Sequence, residues 1–154
     1  MEGLEKIVMR HPFFQGLAGE LGPIVSGCAR NVVFKPGAYL FREGQPADEF
    51  FLIREGQVAV ESLVPGLSAT MFLTMGEGEL VGISWLAPPY RWGFDARAIT
   101  RVHAIGIDAR CLRAKCESDH HLGYELMKRF LSVLIVRLHA TRLQTLDVYR
   151  NPGS

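Results

Sequence analysis

Between Val32 and Ile107 the chain is broken by glycine or proline every few residues, and nothing longer than a short strand fits between the breaks. The punctuation falls at Pro36-Gly37, Gly44, Gly56, Pro65-Gly66, Gly76, Gly78 and Pro88-Pro89. The intervening runs, Phe50-Phe51-Leu52-Ile53, Val58-Ala59-Val60, Thr70 to Met75 and Ala98 to Ile107, are rich in β-formers. In the last of them Ala98, Thr100, Val102 and Ala104 alternate with Ile99, Arg101, His103 and Ile105, which predicts one continuous two-faced strand. Short strands with turn signals at this density predict a β-sandwich or barrel.

Two helical zones flank this middle. Glu2 to about Ala29 reads as short helices broken at Pro12 and around Gly22-Pro23. From about Ser118 to Tyr149 there is no proline and a single glycine, which predicts one long helix. Ser118 or Asp119 is its N-cap and Asn151-Pro152-Gly153 its stop. Met127, Leu131, Leu134, Leu138, Thr141, Thr145 and Val148 fall at spacings of four and three, a heptad seam. Tyr124, Leu126, Phe130, Val133 and Ile135 widen the apolar surface. Such a helix needs cover on two sides: its own barrel and a second copy, giving a homodimer, or else full burial within a monomer.

Composition excludes several classes. Seventeen Lys and Arg against sixteen Asp and Glu leave a net charge of +1, which lacks the footprint of a nucleic-acid binder or polybasic membrane-surface protein. The first residues contain no secretory signal, and an apolar run of four residues such as Val133 to Val136, which no other run exceeds, cannot span a membrane. Three cysteines, Cys28, Cys111 and Cys116, fit a reducing cytoplasm better than a disulfide framework. No nucleophile elbow, phosphate-loop lysine or metalloprotease helix is present, so no enzyme is expected. Cys111, Cys116, His120 and His121 do not make a metal site, because the spacing is wrong for a zinc knuckle and further ligands are missing. The first two cysteines of that group remain candidates for a thiol-based redox switch.

The segment LFREGQPADEFFLIREGQVAV, Leu40 to Val60, brackets an apolar strand with Gly44 and Gly56, and GEGELVGISWLAPPYRWGFDARA, Gly76 to Ala98, follows two strands later. Together with HPFFQGL at His11 to Leu17, these resemble the cyclic-nucleotide-binding domain family, of the type that forms the effector domain of the catabolite activator protein. The resemblance covers about residues 8 to 148. It implies a mainly β double-stranded β-helix, or jelly roll, with N-terminal helices over 1–31, a β-roll over 32–110 and a C-terminal dimerisation helix over 117–149. The whole of 1–154 is expected to be one domain. Gly37, Gly44 and Gly56 are accounted for as tight corners.

In that family a Gly-Glu pair opens a phosphate-binding cassette, the Glu holding the ribose, and an Arg near its end pairs with the cyclic phosphate. Alignment places Gly82 at the glycine, Ile83 in place of the Glu, Ser84 after it, Trp92 in place of the Arg, and Gly93 next. Gly76-Glu77 and Gly78-Glu79 are out of register and read as turns. Arg91 is one position away and is the candidate substitute for the phosphate contact; Thr141 and Arg142 align where the final helix meets the base. Losing one charge-assisted phosphate contact costs about 1.5–3 kcal/mol, and losing both anchors weakens a micromolar site by roughly two to four orders of magnitude.

The resemblance therefore implies a non-enzymatic, small-ligand-sensing regulatory module whose ligand is a cyclic nucleotide (cAMP or cGMP) or another small anion, with altered preference. No cofactor is fixed by the residues. The alternative is a ligand-free interaction or scaffold module that acts on a downstream protein partner. Exposed aromatics in the loop would favour the scaffold; an aromatic cavity with Arg91 inside would favour the sensor. A helix-turn-helix after the long helix needs at least ~50 residues, so no direct DNA contact is expected.

Overall fold

The computed structural model describes residues 3–17, 19–62 and 70–150, with 70–72 and 141–150 as backbone only. After α1 (Leu4–Arg10), a 3-10 turn at Pro12–Phe14 and another at Gly19–Leu21, α2 (Gly22–Ser26) leads into the strands. These are β1 (Ala29–Phe34), β2 (Tyr39–Phe41), β3 (Glu49–Glu55), β4 (Val58–Ser62), β5 (Thr70–Met75), β6 (Leu80–Val81), β7 (Asp95–Ala98) and β8 (Val102–Asp108). Two helices follow, α3 (Ala109–Ser118) and α4 (His120–Arg150).

The strands form two antiparallel four-stranded sheets, ordered β1-β8-β3-β6 and β2-β7-β4-β5. The mainly β jelly roll with flanking helices is what the glycine spacing and the family resemblance predicted. Gly37, Gly44 and Gly56 all sit at positive φ, between 86° and 103°, where a side chain is disfavoured. The Gly76–Glu79 segment is a turn, closed by Gly76 N–H donating to the Glu79 carboxylate at 2.6 Å.

Three expectations need correction. The run Ala98 to Ile107 is not one strand: β7 ends at Ala98, and the chain turns through 99–101 before β8 opens at Val102. Nor does β8 alternate, since Ala104, Ile105, Gly106 and Ile107 are all buried. Sitting between β1 and β3, and with helices packed on its sheet, this strand has no wet face. Gly22-Pro23 does not break a helix but opens one, proline occupying the first turn of α2 where its missing N–H leaves no bond unmade.

The third correction lies in the C-terminal zone. Ten residues before the long helix, Ala109–Ser118, form a separate helix that the sequence reading does not assign. Asp108 caps it by accepting from Cys111 N–H at 3.0 Å, and Asp119 caps α4 by accepting from Leu122 N–H at 3.1 Å. Asp119 is extended (φ −132°, ψ 94°), and the helical path breaks there.

α4 carries two stripes. Leu122, Leu126 and Phe130 are buried against the protein's own core, with Val133 partly so. Met127, Leu131, Leu134 and Leu138 are about half exposed, as are Tyr124, Ile135 and Val136. The wider set of the sequence reading thus divides, Leu126 and Phe130 inward, Tyr124 and Ile135 outward. The seam residues Thr141, Thr145 and Val148 lie outside the described side chains. Arg129 fastens α4 to the N-terminal lead-in, donating to Phe13 O at 3.1 Å and Gln15 O at 2.8 Å, and Phe13 meets Phe130 edge-on at 4.9 Å.

Candidate functional site

The loop from Gly82 to Phe94 leaves sheet β1-β8-β3-β6 at β6 and enters the other sheet at β7. Gly82 has φ +108°, a conformation that only glycine adopts readily. A Cβ built there would lie 2.6 Å from the Trp92 indole Cη2 and 2.8 Å from Cζ3, so the indole edge rests directly on the Gly82 backbone. Trp92 is 3% exposed and stacks on Phe41 at 3.9 Å with an interplanar angle of 12°. Its backbone joins the same closure: Trp92 N–H donates to Gln45 O at 3.0 Å, and Gly44 N–H donates to Trp92 O at 2.8 Å.

Arg91 does not join them. It is exposed, and its Nη1 donates to Gly44 O at 2.8 Å, which fastens it to the β2–β3 connection. Arg97 on β7 is engaged by Glu61 on β4 in a two-pronged ion pair, 2.8 and 3.1 Å, which raises the Arg97 pKa above its ordinary value. Ile83, Ser84 and Phe94 are partly buried. Of the sequence-predicted residues, Gly82 and Trp92 are in contact, Ile83, Ser84 and Gly93 are their chain neighbours, and Arg91 faces water. The side chains of Thr141 and Arg142 lie outside the described set.

The other tryptophan organises the outer side of the loop. Trp85, fully buried, stacks on Phe50 at 4.7 Å and meets Phe130 of α4 edge-on at 5.3 Å. Its carbonyl accepts from Arg113 Nη1 at 2.7 Å, while the Arg113 guanidinium lies 4.2 Å over the Tyr90 ring. Between this loop, α3 and α4 is a cavity of about 220 Å³, lined among others by Tyr90, Arg113, Cys116, His120 and Met127. Sequence reading misses Arg113 because the helix that carries it is unassigned; Asp108, an N-cap residue three positions ahead of Cys111, is the available signal.

The sequence profile of the cyclic nucleotide-binding domain matches residues 31–119, more than half of the sequence. The chain belongs to the cyclic nucleotide-binding domain family. Among curated proteins, the CRP-like cAMP-activated global transcriptional regulator of Mycobacterium tuberculosis is 26% identical over 145 residues, covering 94% of this chain and 63% of that protein. The chain thus spans somewhat under two thirds of that relative. Among solved structures, a Geobacter metallireducens chain assigned to the cyclic nucleotide-binding proteins superposes with a TM-score of 0.79 at 27% identity, over 90% of this chain and all of that one. The regulatory subunit of a cAMP-independent protein kinase A from Trypanosoma brucei, in a mutant form bound to cAMP, shares the fold at TM-score 0.67 and 21% identity, over 90% of this chain and 49% of that one.

Under the alignment expected from the sequence, the alkyl group of Ile83 would stand where the family places its ribose carboxylate and the Trp92 indole where it places its phosphate guanidinium. An indole offers a single N–H and no charge. It cannot replace a bidentate cation on a phosphate.

Proposed function

We propose that the chain is a non-enzymatic regulatory module of the cyclic nucleotide-binding fold whose cassette is held closed by its own Trp92, so that cAMP and cGMP are not its effectors. The observation that carries this reading is the seat of the Trp92 indole on Gly82 and Phe41; the expected alignment sets the family's phosphate contact at this same residue. Opening the cassette would expose a stacked, almost fully buried indole and still leave the phosphate without a cation. Cyclic-nucleotide-independent regulation has a parallel in this fold in the trypanosomal kinase subunit.

The output of such a module is protein contact. The stripe Met127, Leu131, Leu134 and Leu138 is apolar, in heptad register and uncovered by the protomer, which supports a homodimer formed through α4. A cytoplasmic location fits this role, and among the described residues no helix is long and apolar enough to cross a membrane. Calorimetric titration with cAMP and cGMP tests the reading: no heat is expected at millimolar ligand, and micromolar binding would overturn it. The double substitution Ile83→Glu with Trp92→Arg, which restores the family's two anchors, should gain binding.

A second reading, a sensor of some other small anion, is favoured by one observation. The 220 Å³ cavity beside the loop has Arg113, using one N–H on Trp85 O, stacked over an aromatic ring. A ligand there would wedge the loop against α3 and α4 and so bias the dimer surface. Loss of an anion-induced fluorescence change in Arg113→Met would identify it.

A further inference from the structure

The cysteine pattern resolves differently from the sequence reading. Cys111 is joined not to Cys116 but to Cys28, 83 positions away, with a Cα–Cα distance of 5.8 Å. The sheet brings them together: β1 pairs with β8 so that Ala29 faces Ile107, and Asp108 N–H donates to Cys28 O at 2.8 Å. Separation along the chain therefore says nothing about their distance in the fold. Cys116 is a free thiol beside the cavity near Trp85, and burial, then the nearby Glu117 and Asp119 carboxylates, push its pKa up. It does not line the cavity that the disulfide borders.

This bond is not sealed in the core. Cys28 is 6% exposed, but Cys111 is only partly buried, and both line a surface cavity of about 410 Å³. The polar walls are Arg30, Asp48, Glu49 and Asp108. Arg30 is engaged by Glu49, in a two-pronged ion pair with both contacts at 2.7 Å. The cavity thus presents three carboxylate side chains against one guanidinium, beside a disulfide a small molecule can reach.

We propose that Cys28–Cys111 is a reversible thiol-exchange site that accepts small neutral or cationic thiols in preference to anionic ones. A thiolate attacks the more exposed sulfur, that of Cys111. A new S–S bond forms to it, the Cys111–Cys28 bond breaks, and the electron pair leaves on Cys28, which takes a proton from water. A second thiolate attacks the mixed disulfide, forming the small-molecule disulfide and releasing Cys111 as thiol. The net reaction consumes two small thiols and yields one small disulfide and two protein thiols; a small disulfide drives the reverse. The chemical effect is to unfasten the segment after α2 from the first turn of α3, leaving noncovalent ties such as Lys115 Nζ donating to Ile24 O at 3.2 Å.

The test uses the full oxidised chain, folded, with cysteamine as the cationic thiol and 2-mercaptoethanesulfonate as the anionic one. Alkylation and intact-mass analysis count the thiols released beyond Cys116 over time. Each rate is divided by the rate for the same bond in the urea-unfolded chain, which removes the reagents' intrinsic reactivities. The expected result is release within minutes at millimolar cysteamine, a normalised preference for cysteamine of at least about fivefold that shrinks with added salt, and amide exchange rising in 22–28 and 109–118. In Cys28→Ser, the disulfide cystamine is expected to leave a stable cysteamine adduct on Cys111, one cysteamine departing as thiol. Release only on global unfolding, equal normalised rates for the two thiols, or failure of the reduced chain to re-form the bond with cystamine would each overturn the proposal.

Discussion

Replacing Trp92 by alanine tests the proposed closure of the cassette, since it removes the indole that rests on Gly82 and Phe41. The indole is 3% exposed, so its contribution can be worked from burial. A tryptophan buries roughly 200 Å² or more, which at about 25 cal/mol per Å² sets an upper figure near 5 kcal/mol; substitutions of this kind measure about 3–5 kcal/mol. The stack on Phe41 at 3.9 Å accounts for about 1 kcal/mol of that. We expect a loss of about 4 kcal/mol, read by urea unfolding as a midpoint lower by about 2 M for a slope near 2 kcal/mol/M. Gly82→Ala adds a sharper arm. In the native background its methyl collides with the indole at 2.6 Å and meets the penalty of φ +108°. In Trp92→Ala the backbone penalty and a close approach to Phe50 Cβ at 3.3 Å remain but the indole collision is gone, so Gly82→Ala should cost about 1–2 kcal/mol less there, a coupling on the usual scale for residues in contact. A Trp92→Ala loss below about 1 kcal/mol, or strict additivity of the two substitutions, would refute the reasoning.

Reducing the Cys28–Cys111 bond, or the Cys28→Ser and Cys111→Ser pair, should lower stability by up to about 4.6 kcal/mol, the chain-entropy value for a loop of 83 residues; unfolding with and without reductant measures it. His11 is buried, donates through Nε2 to Ile53 O at 3.0 Å and accepts at Nδ1 from Phe13 N–H at 3.2 Å, an arrangement that fits the neutral ring. Burial depresses its pKa, so its contribution is complete above about pH 6.5 and is lost as pH falls through the folded-state pKa; His11→Gln should flatten the stability slope on that acid side. Leu131→Asp with Leu138→Asp, both on the exposed stripe, should turn a dimer into a monomer in sedimentation while changing protomer stability by less than about 1 kcal/mol.

Whatever a local rule governs is legible in the sequence. The corners at Gly37, Gly44 and Gly56, the strand Thr70–Met75 and the cap at Asp119 each follow from a residue's own backbone preference, and the structure places them where that preference predicts. Failures come where a neighbour distant in sequence decides. The alternation assigned to Ala98–Ile107 ignores the helices that cover the sheet, and α3 lacks a run of apolar residues, only Ala109 and Leu112 being buried. At the cassette, alignment locates Trp92 but cannot say that its ring lies on Gly82, because that contact spans a loop whose path is fixed by Phe41 and Gln45. The disulfide is invisible for the same reason, its proximity being a property of the β1–β8 register.

That register has a kinetic consequence. The first and last strands of the roll lie side by side, so the sheet β1-β8-β3-β6 cannot be completed until β8, near the end of the roll, has found β1. Pairing partners such as Ala29 and Ile107 are separated by nearly the whole of the roll, and the entropy of closing such a span is lost before the contact contributes anything. Folding should therefore be limited by this late meeting, on the millisecond-to-second scale of non-local β topologies. A chain in which Cys28 and Cys111 are already joined starts with its ends of the roll together, so the oxidised protein should refold faster than the reduced one. In that respect the bond sets the order of assembly as well as its endpoint.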